Sequence, residues 1–215
     1  MIKFPETTLT HRRIPKEAFY KHLNISTALK EKFISDVDRI FVENSFTMNS
    51  LRLTKDSEVS EILLLLITLK KKNFDGKIIE AIAEQNQHKL IFLLSFDEER
   101  QLAVFHGRLY QSLWMSESEL SLSADGFSLK EIWDGFIEQI ALTDEKAEQA
   151  AGLSIEQRLQ LQEKIIALEK KIQKTEAAAW REIQHKKKFA LYNKLQKYKN
   201  ELEELKRGKA QDVHA

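Results

Sequence analysis

The chain has no cysteine. That excludes disulfides, thiol nucleophiles and zinc–thiolate centres, and it fits a reducing compartment. Proline occurs twice, at Pro5 and Pro15, and glycine six times, so long elements with short connections are expected. Charge of one sign hardly exceeds the other: 34 Lys and Arg stand against 33 Asp and Glu. A uniformly basic nucleic-acid binder is thereby excluded, and any nucleic-acid surface must come from local charge segregation. The longest apolar run, Ile62–Ile67, falls far short of a membrane span. The opening MIKFPETTLT lacks the apolar stretch of a signal peptide, so a soluble, cytoplasmic protein with no membrane partner is expected. What is present is 42% hydrophobic residues over 215 positions. That is enough for a core in one domain carrying an appendage.

Between Pro5 and Pro15 the chain reads as an irregular lead-in. Pro15 then opens a helix. A second helix starts near Ser26, and Leu29, Phe33, Val37, Ile40 and Phe41 carry its spacing to about Glu43. Leu51 and Leu53 alternate with polar neighbours as in a short strand. The run EILLLLITL predicts a central strand buried on both faces. Asp75-Gly76 starts a helix through Ile78, Ile79 and Ile82, and KLIFLLSF is the next strand. The turn at Asp97–Arg100 leads into a partner strand at Leu102 and Val104. Leu109–Met115, carrying Trp114, is one more strand. Ser128 and Glu131 fit a capping box for a helix to Leu142. Hairpins outnumber βαβ units, so the fold class is α+β, a mainly antiparallel sheet with flanking helices over 1–143. A helical arm with a basic segment and a short polar tail follows over 144–215.

The arm has no Gly or Pro from Ile155 to Arg207. Leu161, Ile165, Leu168 and Ile172 make one apolar seam; Leu191, Leu195, Tyr198, Leu202 and Leu205 make another. The two registers do not match, and a straight coiled-coil strand would keep one register. A helical hairpin broken between Trp180 and Lys188 is expected. The alternative is one helix of roughly 80 Å that dimerises as a coiled coil. Arg181, Lys186, Lys187, Lys188, Lys194, Lys197 and Lys199 form a positive block against Glu182 alone. Such a block suits phosphates or an acidic protein partner. Trp180, Phe189 and Tyr192 interleave with it and are expected to serve hairpin packing rather than base stacking.

No catalytic constellation stands out. Glu58, Glu61, Asp97, Glu98 and Glu99 are the carboxylates to weigh for a metal-dependent nuclease of the PD-(D/E)XK type. Thr68 stands where an acid would be required before Lys70, which leaves a divalent ion an inadequate oxygen shell. The histidines (His11, His22, His88, His106, His185 and His214) show no ligand spacing, and no phosphate loop or nucleophile elbow is present. No metal or cofactor is expected. Lys70, Lys71 and Lys72 read as a strand end at the surface, able to extend a basic face.

FPETT at 4–8, RIPKEAFY at 13–20, EILLLLITLKKK, HKLIFLLSF, QSLW, IWDGFIEQIA and the basic C-terminal helices occur in an order that resembles the bacterial domain of unknown function 4391 family. Glu182, Gln184, Lys188, Leu191 and Leu195 fit that family's C-terminal pattern, while Ala177–Ala179 and Trp180 depart from it. The resemblance brings no catalytic residues. It implies association with helicases and DNA methyltransferases of restriction-like defence systems. The resulting expectation is a non-enzymatic accessory subunit that binds a protein partner, and nucleic acid where the arm reaches it. A divergent nuclease and a purely structural oligomeriser are the alternatives.

Overall fold

The structure, a computed structural model, describes residues 2, 4–54, 58–143 and 152–206, without the side chains of residues 20–22. It divides into two compact units, Met1–Ala141 and Leu142–Ala215. The first is α+β. Its strands are β1 (Leu9–Ile14), β2 (Val37–Phe46), β3 (Ile62–Leu69), β4 (Lys89–Phe96), β5 (Glu99–His106), β6 (Arg108–Gln111) and β7 (Met115–Ser116). They form one sheet in the order β1-β2-β3-β4-β5-β6, with β7 also on β5. Neighbours are antiparallel except β3 and β4, which run parallel. Parallel strands need a crossover, and helix α4 (Lys77–Glu84) supplies it.

Leucine and isoleucine fill β3 because it lies in mid-sheet with both faces covered along most of its length. On one face Ile40, Val42, Leu65, Ile67 and Phe92 join Phe33 of helix α2 (Thr27–Asp36) and Ile78, Ile79 and Ile82 of α4. On the other, helix α5 (Leu129–Ala141) sets Phe136 on Phe46 with ring centroids 5.4 Å apart, and Phe4 meets Phe46 edge-on at 4.8 Å. Helix α1 is Lys16–His22, with Pro15 as its N-cap, and α3 is Met48–Leu51.

Several expectations are corrected. The helix from Ser26 ends at Asp36, well short of Glu43, and Val37 begins β2. Asp36 is the pivot. Its carboxylate accepts from Lys71 Nζ at 2.6 Å and from the Asp75 N–H at 3.1 Å, while its carbonyl accepts from the Lys70 N–H. The lead-in between the prolines contains β1, an exposed edge strand, which explains its lack of apolar pattern. Leu51 and Leu53 lie outside any strand: Thr47 and Ser50 form a capping box for α3, and Arg52 closes it with φ of 53°. Leu109–Met115 splits into parts of β6 and β7, with Trp114 between them. Lys70–Lys72 form no open basic face. Lys70 donates to Ile34 O, Lys71 to Asp36 and Lys72 to Glu99.

The second unit is a hairpin of α6 (Ile155–Arg181) and α7 (His185–Lys206). Ser154 caps α6 reciprocally: its Oγ accepts the Gln157 N–H, and Gln157 Oε1 accepts the Ser154 N–H. Ser154→Ala is expected to cost about 1 kcal/mol, read from thermal denaturation followed by helical circular dichroism. The tail at 207–215, including His214, and the linker at 144–151 lie outside the described residues. Among the described residues, no helix is long and apolar enough to cross a membrane.

Candidate nucleic-acid interface

The hairpin turns at residues 182–184, inside the interval where the two seams lose register. No glycine is needed, because Glu182 caps α6 in extended geometry, with φ of −76°, rather than in the left-handed region. The Glu182 N–H still donates to Ala178 O, and the Glu182 carboxylate accepts the Gln184 N–H at 2.9 Å. Gln184 O then accepts the Lys188 N–H and α7 begins. Glu182 and Gln184 therefore build the turn.

Both seams face inward. Ile165, Leu168 and Leu195 are buried, and Leu161, Ile172, Leu191, Tyr198, Leu202 and Leu205 are half-buried. Ala179 is also buried, and its small side chain suits close approach of the helices near the turn. Ion pairs brace the flanks, Lys199 to Glu176 at 3.4 Å and Lys206 to Glu169 at 2.8 Å. The ammonium groups of Lys171 and Lys194 lie 5.8 and 5.9 Å from the centre of the Tyr198 ring.

The structure thus sorts the basic block. Lys199 is paired and Lys194 sits over Tyr198. Arg181, Lys186, Lys187, Lys188 and Lys197 form no ion pair among the described residues. All of these but Lys197 cluster about the turn. Lys186, Lys187 and Lys188 occupy the first turn of α7, which holds no acid. Cations at a helix N-terminus oppose the helix dipole, at roughly 0.3–1 kcal/mol each. Their placement destabilises the hairpin and concentrates positive potential at its tip.

The aromatic residues overturn the packing expectation. Trp180 is 75% exposed, Phe189 68% and Tyr192 44%. Ile183, which the sequence reading passed over, is 89% exposed at the turn. The seam registers carried the signal, since none of these residues falls on either seam. The tip therefore offers flat apolar faces among cations, the combination that holds bases and phosphates together.

The acids weighed for catalysis do not converge. Glu99 pairs with Lys72, and Asp97 with φ of 48° forms the β4–β5 turn beside Glu98. Glu61 Oε1 accepts from Ser45 Oγ at 2.5 Å, and Glu61 Oε2 lies 3.3 Å from His88 Nδ1. That order puts the carboxylate between serine and histidine, so His88 has no contact through which to take the Ser45 proton. No group of three or more His, Asp or Glu among the described residues is arranged to hold a metal ion. His11 pairs with Glu43, and His185 starts α7.

A family model described as Domain of unknown function (DUF4391) matches residues 2–202 of the chain. No curated protein and no solved structure matches it.

Proposed function

The chain belongs to the domain of unknown function 4391 family, and from that premise we propose that it is a non-enzymatic accessory subunit that holds single-stranded nucleic acid at its hairpin tip. Its setting is a bacterial DNA-processing or anti-phage defence assembly, with a helicase- or methyltransferase-type subunit as protein partner. One observation carries the reading: Trp180 and Phe189 stand exposed beside Arg181 and Lys186–Lys188. Exposed aromatic surface and cations against a helix dipole both work against stability and solubility. A strand that stacks its bases on the rings and its phosphates on the ammonium groups compensates both.

Fluorescence anisotropy of a labelled oligothymidylate tests it. Binding should weaken with salt on a double-logarithmic slope of about −3, from roughly four phosphate contacts on a single strand. Changing Lys186, Lys187 and Lys188 together to Glu should abolish binding. Trp180→Ala with Phe189→Ala should weaken it at least about tenfold with the slope retained. Absence of binding at low salt overturns the reading. Equal affinity for polyglutamate also overturns it and assigns the tip to an acidic protein surface.

A further inference from the structure

The α5 side of the sheet holds an open cleft of about 500 Å³ that the hairpin does not line. Its floor is Leu64 and Leu66 of β3 with Leu93 of β4. Leucines from central strands normally lie under a helix; here Leu66 and Leu93 remain half-buried.

The polar groups around this floor have a definite construction. A bulge in β2 pairs Val42 with Leu65 and Asn44 with Leu64, so Glu43 is the additional residue and both Glu43 and Asn44 line the cleft. Adjacent β1 has its own irregularity between Leu9 and Arg12, where His11 takes φ of 42°. His11 Nδ1 lies 2.9 Å from Glu43 Oε2, and its ring stacks on Phe41 at 5.2 Å. Two irregular strands thus converge on the position of one carboxylate, a costly arrangement that clusters at ligand sites.

Asn44 is only 6% exposed. The buried Thr8 hydroxyl donates to Pro5 O at 2.7 Å, so it accepts from Asn44 Nδ2 at 2.9 Å. This chain of donors orients the amide. It leaves Asn44 Oδ1 with no donor among the described residues. Ser95, 8% exposed, lines the cleft with a hydroxyl that likewise has no partner among them. Both residues are more than nine-tenths buried, yet these two oxygens reach the cleft, where water or a ligand can meet them.

The nearby cation is already committed. Arg100 donates through Nη1 to the carbonyls of Asp97 and Glu99, at 2.9 and 3.0 Å, and through Nη2 to Glu117 at 3.3 Å. Glu6, Glu43 and Glu117 line the same cleft, so three acids face the single guanidinium and an anion is disfavoured there. What the cleft presents is acceptors, Glu43 and Asn44 Oδ1, with the Ser95 hydroxyl, above an apolar floor.

We propose that this cleft binds a small amphipathic cation, a protonated amine on an apolar chain. Its ammonium group meets Glu43 and Asn44, and its chain lies on Leu64, Leu66 and Leu93. The volume falls within the range of small-molecule sites.

The test uses the full chain and three probes with one apolar body: hexylammonium, 1-hexanol and hexanoate. Binding is followed through amide chemical shifts. Hexylammonium should saturate, shifting residues of β2 and β4; hexanol should bind at least about tenfold more weakly, and hexanoate not at all. Glu43→Gln, an isosteric change, should weaken hexylammonium at least about tenfold while hexanol affinity stays constant. Ser95→Ala, at a site that needs no partner to fold, should weaken it by a smaller factor. Equal binding of the three probes, no saturation by hexylammonium, or an unchanged affinity in Glu43→Gln each overturns the assignment.

Discussion

Asp36→Ala is expected to lower stability by about 3 kcal/mol at neutral pH and the melting temperature by about 10 °C. Asp36 is 1% exposed. Burial pushes its carboxyl upward, but hydrogen bonds from Lys71, Ser35 and the Asp75 N–H outweigh that and hold it below the usual carboxylate range. The partner Lys71 is half-exposed, so its freed ammonium returns to water. This places the loss at the low end of what breaking a buried pair costs. What remains unmet in the variant is the Asp75 N–H. That group helps set the start of α4, because Asp75 in turn accepts the Lys77 N–H and pairs with Lys32 at 2.5 Å. Asp36→Asn should cost about half as much, since an amide oxygen still accepts from Asp75 but no charge faces Lys71.

The pH dependence has a definite sign. Both Asp36 and Asp75 are held below the ordinary value of 3.8, the latter chiefly by the hydrogen bond from Lys32. A depressed carboxylate binds its proton more readily in the unfolded chain. Its stabilisation is therefore complete above 3.8 and is lost as pH falls through the folded-state value. Urea denaturation of the parent and of Asp36→Ala should give a wide gap at pH 7 that narrows steadily in the acid range below 3.8. A gap that is constant with pH would show that the side chain acts by packing alone.

The same residue shows why part of the fold was hidden in the sequence. Leu29, Phe33, Val37 and Phe41 fall at helical spacing, yet only the first two lie in α2. The helix stops where Asp36 finds partners 34 to 39 positions along the chain, a tertiary constraint that no local period records. β1 was hidden for the opposite reason. As an edge strand with exposed residues it needs only backbone pairing with β2, which leaves no apolar alternation to read. By contrast, KLIFLLSF corresponds residue for residue to β4, because a central strand covered along most of both faces carries a nearly continuous apolar run. The hairpin was legible from register mismatch alone. The seams also implied that Trp180, Phe189 and Tyr192 point elsewhere, and the packing expectation set that signal aside. The cleft had no sequence signature. Glu43, Asn44, Ser95 and Arg100 come from three strands, and only a bulge in β2 puts the first two at one surface.

Phe46→Ala should be as damaging as any single truncation in the first unit, at about 4 kcal/mol. The ring is wholly buried. It takes the edge of Phe4 at 4.8 Å and lies 5.4 Å from Phe136, so truncation leaves a cavity and removes two aromatic contacts together. Phe46→Leu should recover about half of the loss, because it restores apolar volume without the ring geometry. Amide exchange should rise first along α5, which Phe136 anchors to this cluster, before it rises in α4, whose isoleucines pack on the opposite face. The same substitution made at the hairpin tip separates the two roles of aromatic residues in this chain. Trp180 is larger than Phe46 but mostly in solvent, so Trp180→Ala should change stability by less than about 0.5 kcal/mol. Calorimetry on the two variants decides the matter. A Trp180→Ala variant that unfolds as early as Phe46→Ala would mean that the tip ring is packed in solution, and it would remove the exposed aromatic surface on which the nucleic-acid reading depends.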